Sequence, residues 1–95
     1  MISVTERAKQ ELKRMLSDNV DDPQAGLRLT TGDAGQLGLG IDIEMLEDHV
    51  VKHDGSKVLI VEPGLAVSLE GLILDVEDTA DGPKLVIAKQ SEEQQ

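Results

Sequence analysis

The first hydrophobic pattern along the chain has the period of an amphipathic helix. Across residues 5–19, apolar side chains recur at spacings of three and four and charged side chains lie between them. Ser3 or Thr5 is suited to cap the first turn, and Glu6 follows Ser3 at the capping-box spacing. The pattern predicts a helix that packs on a core through one face and leaves its basic side chains largely in water. The apolar face is Ala8, Leu12, Met15 and Leu16, and the basic side chains are Arg7, Lys9, Lys13 and Arg14.

Short strand-like runs separated by turn residues follow this helix. They are "LRLTT" from Leu27, "LGIDIEM" from Leu39, "SKVLIV" from Ser56, "LILDV" from Leu72 and "KLVIA" from Lys84. The segments "HDG" and "DGP" precede two of the runs and are typical of turns. The segment "PGLAVSLEG" begins at Pro63 and ends at Gly71, which favours one short helical turn. One helix followed by several strands predicts an α+β domain with a mostly antiparallel sheet system.

The length and composition indicate one small domain with an aliphatic core. The chain has 95 residues and contains no Phe, Tyr or Trp, so the core is built from Leu, Ile, Val, Ala and Met. We assign the domain to residues 1–90, and we expect residues 91–95, "SEEQQ", to form a disordered tail because none of them is apolar. A small core without aromatic residues favours self-association into a homodimer or higher oligomer.

The charge of the chain argues against nucleic acid and membrane partners. The formal net charge is −10, while residues 5–19 carry four basic and three acidic side chains, so the acidic excess lies elsewhere. Such an acidic surface repels nucleic acid and anionic lipid, because binding to either begins with cationic contacts to phosphate. No apolar stretch approaches the roughly 18 residues that span a bilayer, and we therefore expect a cytoplasmic protein.

The chain contains no cysteine. Disulfides, thiolate nucleophiles, zinc–thiolate sites and cysteine-ligated clusters are therefore excluded within one chain.

Four segments in order resemble the HesB/IscA-like A-type carriers of iron–sulfur cluster assembly. They are "ISVTERAKQELKRML", "GLRLTTGDAGQLGLGIDIEM", "DGSKVLIVEPGLAVSLEGLILDVED" and "DGPKLVI", and together they cover almost the whole chain. The resemblance implies a compact β-rich fold of two small stacked sheets with the N-terminal helix against them. It also implies dimers or higher oligomers.

The resemblance also locates a cluster site whose ligands are missing from this sequence. In that family a G-C-x-G segment carries one cysteine, and here Gly35, Gln36, Leu37 and Gly38 match it. Gln36 occupies the cysteine position, and the region matching the family's C-terminal C-G-C segment reads "AKQSEEQQ". A neutral amide is a poor substitute for the soft thiolates that hold iron. We therefore expect a non-catalytic accessory or protein-binding module in a cluster-assembly context, without a cofactor, whose glycines preserve backbone geometry.

A second hypothesis is weak binding of iron or another metal through histidine and carboxylates. His49 and His53 are four residues apart, and Glu47, Asp48 and Asp54 lie around them. Polar residues on an exposed edge strand are the favoured interpretation, because the segment contains two valines and leads into a turn. The adjacent acid pairs Glu47–Asp48 and Glu77–Asp78 are interpreted as solvated charges.

Other chemistry has little support in the sequence. The glycine loop matches neither common phosphate-binding motif, and no lysine follows it. The segment "EDTADG" has too few ligands for a calcium loop, so we interpret it as a turn between two strands. No base is placed to activate a serine, and we rank an enzymatic function last.

Overall fold

The computed structural model describes residues 2–19, 21–32 and 37–89. The described elements, in chain order, are β1 (Ser3–Val4), α1 (Glu6–Asn19), β2 (Ala25–Thr31), β3 (Leu37–Ile43), β4 (His49–His53), β5 (Ser56–Val61), α2 (Pro63–Ser68), β6 (Leu72–Thr79) and β7 (Gly82–Lys89). The strands form a four-stranded sheet in the order β3-β2-β5-β4 and a three-stranded sheet in the order β1-β6-β7. This confirms the prediction of an α+β domain with two small sheets and an N-terminal helix.

Most strand pairs are antiparallel, as the sequence predicted. The pairs β2–β3, β4–β5 and β6–β7 are antiparallel. The pairs β2–β5 and β1–β6 are parallel, and they join segments that are distant in the sequence. The alternation of apolar and polar residues along the chain did not predict these two parallel pairs.

Helix α1 lies against the core through the predicted face. Ala8, Leu12 and Leu16 are buried, and Met15 packs at the border of the core. Thr5 caps the helix, since its Oγ1 accepts a hydrogen bond from the N–H of Ala8 at 3.1 Å, whereas Ser3 belongs to β1. On the outer face the side chains of Arg7 and Arg14 are more than half exposed. Lys9 and Lys13 are only partly exposed, so the prediction of largely solvated basic side chains holds less well for these two.

The core lies between the two sheets and α1. Its buried members come from every layer of the domain, and all of them are aliphatic. They are Ile2, Ala8, Leu12, Leu16, Leu27, Leu29, Val58, Leu59, Val61, Ala66, Leu69, Leu74 and Val76. Among the described residues no polar or charged residue is buried as a whole residue, so the aliphatic contacts and the strand hydrogen bonds hold the layers of the core together.

Two tight hairpins confirm the predicted turns. Asp54 and Gly55 connect β4 to β5 with φ values of 52° and 81°, a pair of positive angles that a two-residue hairpin of this kind needs. At the β6–β7 hairpin the Oγ1 of Thr79 donates to the carbonyl oxygen of Gly82 at 2.7 Å. The predicted turn in "EDTADG" is confirmed but is shorter than the segment, because its first three residues belong to β6 and its last residue to β7.

In the described part of the chain, α1 and α2 are both too short or too polar to cross a membrane.

Candidate functional site

The candidate site begins where β3 leaves the glycine-rich connection. Gly35 and Gln36 lie outside the described residues, whereas Gly38 belongs to β3 and pairs with Thr30 of β2. A Cβ atom at Gly38 would lie 3.3 Å from the Oγ1 of Thr30, which is a tight contact. Glycine at this position therefore allows β3 to pack closely against the Thr30 side chain.

An apolar cavity of about 360 Å³ adjoins Gly38. It lies between the two sheets and reaches helix α1, and the described part of its lining is made of aliphatic side chains and the Gly38 backbone. The lining residues are Met15, Leu29, Leu37, Gly38, Leu39, Leu74, Leu85 and Ile87. The cavity thus brings together β3, which carries Gly38, and β7, the last strand before the C-terminal residues. These are the two strands next to which the sequence resemblance located the cluster ligands.

The residues at this cavity do not fit an iron–sulfur cluster. Such clusters are held by thiolates, and the chain has no cysteine. The side chains of the described residues that line the cavity contain no carboxylate or imidazole. Within residues 2–19, 21–32 and 37–89, no group of three or more His, Asp or Glu side chains is arranged to hold a metal ion. The site therefore offers apolar surface instead of ligands.

The two histidines lie on β4, which is an edge strand as predicted, but the expected exposure to solvent holds for His49 and is wrong for His53. The His53 side chain is only 14% exposed, and its Nδ1 lies 3.3 Å from Oε2 of Glu6, while its Nε2 lies 3.5 Å from Oδ2 of Asp54. His49 is exposed at the other end of the strand. A register shift between Val51 and Lys52 separates the two. His53 is thus involved in polar contacts between α1 and the β4–β5 hairpin.

A polar cluster centred on Arg28 was not predicted from the sequence. The guanidinium of Arg28 on β2 donates to Oδ2 of Asp42 at 2.7 Å and to both carboxylate oxygens of Asp48, at 2.6 Å and 3.3 Å. It also donates to the carbonyl oxygen of Ile43 at 3.2 Å. The Asp48 side chain is only 4% exposed, so the interpretation of Asp48 as a solvated charge is wrong. The turn between β3 and β4 places it there, and the Asp48 carboxylate accepts the N–H of Met45 at 2.7 Å.

The charges in this cluster stabilise one another. The two carboxylates raise the pKa of Arg28 above its usual range, chiefly through the hydrogen bonds to Asp48. The hydrogen bonds from Arg28 and from the Met45 N–H lower the pKa of Asp48. The pKa of Asp42 is lowered first by the Ile43 N–H and then by Arg28. All three groups are therefore charged at neutral pH, and they connect β2, β3 and the following turn.

The other acid pair lies in β6, which runs past the predicted strand "LILDV" to Thr79, and not in the predicted turn. Glu77 and Asp78 are on β6, and Asp78 accepts a hydrogen bond from Arg7 of α1 at 2.6 Å with its side chain 75% exposed. The interpretation of this pair as solvated charge is consistent with the structure.

Comparison with known proteins gives a match at the level of structure alone. No family model matches the chain, and no curated protein matches it. Escherichia coli SufA, which is involved in biosynthesis of iron–sulfur clusters, superposes with a TM-score of 0.66 at 18% identity, over 93% of this chain and 84% of its own. IscA with the [2Fe-2S] cluster gives a TM-score of 0.61 at 19% identity, over 94% of this chain and 85% of its own.

A third solved structure is more similar in sequence. A protein from Aquifex aeolicus, determined by solution NMR, gives a TM-score of 0.63 at 27% identity, over 93% of this chain and 90% of its own. The three superpositions each include both sheets and α1, since they cover more than nine tenths of the chain. The chain therefore has the HesB/IscA-like fold that SufA and IscA share, and it has this fold without a cysteine.

Proposed function

We propose that this chain is a non-catalytic HesB/IscA-like protein that serves as a binding or accessory module in a context related to iron–sulfur cluster assembly. It does not carry a cluster itself. The observation that carries this proposal is a fold match over more than 90% of the chain combined with the lack of any cysteine. The fold is retained although the ligands that would bind the cluster are not.

The cavity beside Gly38 supports a binding role in preference to catalysis. Catalysis needs polar groups that are positioned to act on a substrate, whereas the described residues that line this cavity contribute aliphatic side chains. The polar cluster at Arg28 is internally paired, with each carboxylate bound to the guanidinium or to a backbone N–H. Its geometry explains how the turn after β3 is held, without a group left over for acid or base chemistry.

We also propose that the protein self-associates and works in the cytoplasm. The support is the small aliphatic core, together with the large apolar side chains that stay exposed on β3 and beyond it. The net charge of −10 favours protein partners over nucleic acid or anionic lipid.

Anaerobic reconstitution with iron and sulfide tests the proposal that no cluster is carried. The wild-type protein is desalted and then assayed for iron, for sulfide and for absorption by an iron–sulfur chromophore, with SufA treated in parallel. We expect no retained chromophore in this chain. Stoichiometric iron and sulfide after desalting would contradict the proposal, and stoichiometric iron without sulfide would favour the alternative of a site made by histidine and carboxylates, with His53 the first residue to substitute.

The glutamine at the former cysteine position allows a sharper version of the same experiment. In Gln36→Cys a homodimer supplies only two thiolates, so a cluster held by them is expected to be lost rapidly to a chelator. A chelator-resistant cluster in Gln36→Cys would mean that other side chains complete the site. The proposed link to cluster assembly is tested separately by the genes that neighbour this one on the chromosome. If cluster-assembly genes are consistently absent from that neighbourhood, the link is not supported.

A further inference from the structure

Strand β3 carries an exposed apolar stripe and is an edge strand of the four-stranded sheet, with no neighbour on its outer side among the described residues. Leu37, Leu39, Ile41 and Ile43 alternate along the strand and therefore lie on one face of the sheet. Leu37 and Leu39 are partly buried at the cavity, whereas Ile41 and Ile43 are 50% and 51% exposed. The stripe continues past the strand into Met45 and Leu46, which are 58% and 93% exposed. The three-stranded sheet thus covers this face at one end of β3 and leaves the other end in water.

The other sheet edges in the described part of the chain carry features that discourage further pairing. β1 has only two residues, and β7 contains Pro83, Lys84 and Lys89. β4 contains Lys52 and a register shift, and Lys13 and Glu6 of α1 contact its hairpin and its last residue. β3 has no proline, lysine or register shift, and its one charged side chain, Asp42, is bound to Arg28. β3 is therefore the edge at which another strand can be added.

We propose that the occupant of this edge is β3 of a second copy of the chain, paired antiparallel about a two-fold axis at Ile41. The inference rests on the proposed self-association and assigns it to a surface. The axis is perpendicular to the sheet, so that residues directly opposite each other point to the same face. The two four-stranded sheets then form one continuous sheet, and the interface is isologous.

This register matches apolar side chains with apolar side chains. Ile41 lies opposite the partner's Ile41 and Leu39 opposite the partner's Ile43, and if the pairing continues past the end of β3, Leu37 lies opposite the partner's Met45. The end of β3 that carries Leu37 and Leu39 therefore meets the exposed end of the partner's β3. The three-stranded sheet of each copy then lies beside the partner's Ile43 and the partner's Met45. The apolar surface that each monomer exposes is removed from water by the pairing.

The same register resolves the charge problem of joining two acidic chains. It places Asp42 opposite the partner's Gly40 and Glu44 opposite the partner's Gly38, so no carboxylate faces another directly. A Cβ atom at Gly40 would meet nothing within 4 Å in the monomer, so this position is open to the partner's side chain. Moving the axis by one residue to Asp42 would place the two Asp42 carboxylates opposite each other, which is destabilising. The glycines of β3 thus specify the register as well as the approach to Thr30.

Single cysteines test this register directly, because the chain itself has none. In Ile41→Cys the two introduced residues are directly opposite, with Cβ atoms about 5 Å apart, a separation at which a disulfide forms with small adjustment. In Ile43→Cys, which replaces the same residue type at 51% exposure, the two residues are about 13 Å apart. Under diamide, a thiol oxidant, we expect Ile41→Cys to form the linked dimer about tenfold faster than Ile43→Cys.

Two outcomes of the crosslinking would overturn the inference. Equal or faster linkage of Ile43→Cys would exclude the axis at Ile41. Linkage of Ile41→Cys at the rate of Val67→Cys, a control on α2 at an exposed position, would show that the reaction follows random collision.

Sedimentation of uncrosslinked protein separates this inference from the self-association on which it rests. We expect the wild-type protein to dimerise, Ile41→Lys to raise the dissociation constant at least about tenfold, and Val67→Lys to leave it unchanged. Circular dichroism checks that each variant is folded. A wild-type dimer that Ile41→Lys does not weaken would keep the self-association and overturn this surface. A wild-type protein that stays monomeric at every concentration would overturn both.

Discussion

The Arg28 guanidinium holds the Asp48 carboxylate with two hydrogen bonds, at 2.6 Å and 3.3 Å, across a separation of 20 residues in the sequence. The Arg28 side chain is 15% exposed and that of Asp48 is 4% exposed. Water is therefore largely excluded from this ion pair, and its hydrogen bonds are stronger than those of an exposed pair. The pair connects the second strand of the four-stranded sheet to the turn after β3.

We expect Asp48→Ala to destabilise the protein by about 1.5–3 kcal/mol, the usual value for lost hydrogen bonds to a charged group. The substitution removes two acceptors from Arg28 and leaves the Met45 N–H without its carboxylate partner. Urea unfolding measures the change in the free energy of unfolding. Asp81→Ala, at an exposed position in the β6–β7 turn, is the matched control, with an expected change within about 0.5 kcal/mol. Equal losses in the two variants would show that the Arg28 pair contributes little.

The same carboxylate predicts a loss of stability in acid. Its pKa is lowered in the folded state by Arg28 and by the Met45 N–H, while in the unfolded chain it is about 3.9. A lowered pKa means that the unfolded state takes up the proton first. The stabilisation is therefore fully present well above pH 3.9 and is lost as the pH falls through the folded-state pKa. Unfolding of wild-type and Asp48→Asn protein between pH 7 and pH 2 is the measurement, and we expect the difference between them to shrink in this direction. A constant difference would contradict the assignment.

Thr5 connects the start of α1 to β6, which gives a third prediction. Its Oγ1 donates to Oδ1 of Asp75 at 2.8 Å and accepts the N–H of Ala8 at 3.1 Å. Thr5→Val keeps the shape but removes both bonds, and we expect a loss of about 1–2 kcal/mol in thermal or urea unfolding. Thr5→Ser retains the hydroxyl and serves as the control. If Thr5→Ser is destabilised as much as Thr5→Val, the effect comes from the lost methyl group and not from the hydrogen bonds.

Substitution by alanine is expected to have different effects on stability at Gly26 and Gly40, two glycines of the four-stranded sheet. A Cβ atom at Gly26 would lie 2.8 Å from the carbonyl oxygen of Lys57, whereas one at Gly40 would meet nothing within 4 Å. The Lys57 oxygen belongs to the backbone and cannot rotate away, so Gly26→Ala is expected to cost about 1–3 kcal/mol. Gly40→Ala is expected to be neutral or stabilising by up to about 1 kcal/mol, since alanine has less freedom to lose on folding. Similar stabilities for the two variants would contradict the close approach at Gly26.

The elements with local signals were predictable from the sequence. The period of Ala8, Leu12 and Leu16 predicted α1, and Asp54 with Gly55 predicted a hairpin. β1 was missed, because two residues carry no periodicity and its partner on β6 lies about 70 residues away in the sequence. The contact between Arg28 and Asp48 was missed for a related reason: an arginine in a strand and an aspartate in a turn give no local sign that they will meet. Strand β1 and the Arg28–Asp48 contact both depend on segments that are distant in the sequence, and a pattern of neighbouring residues carries no information about such contacts.

The candidate site was only partly predictable. The resemblance pointed to the strand that carries Gly38, and the structure shows this strand beside an apolar cavity that β7 also lines. Gly35 and Gln36 stay predictions, because they lie outside the described residues. Leu37, Leu39, Ile41 and Ile43 are equivalent in the alternating pattern of β3, so the pattern could not show that Leu37 and Leu39 line the cavity while Ile41 and Ile43 are exposed. That grouping follows from the stacking of the two sheets.

Strand β5 has a consequence for how the domain opens. Val58, Leu59, Ile60 and Val61 are all 0% exposed, and the strand is paired to β2 on one side and β4 on the other. Because its side chains fill the core, the β5 amides that face β2 are expected to be among the slowest to exchange and to report the unfolding of the whole domain. In the monomer, β3 has a neighbour on one side only, so at dilutions where the protein is monomeric exchange at β3 reports smaller openings. One deuterium-labelling time course would therefore resolve two events, a local release of the β3 edge and the global loss of the fold.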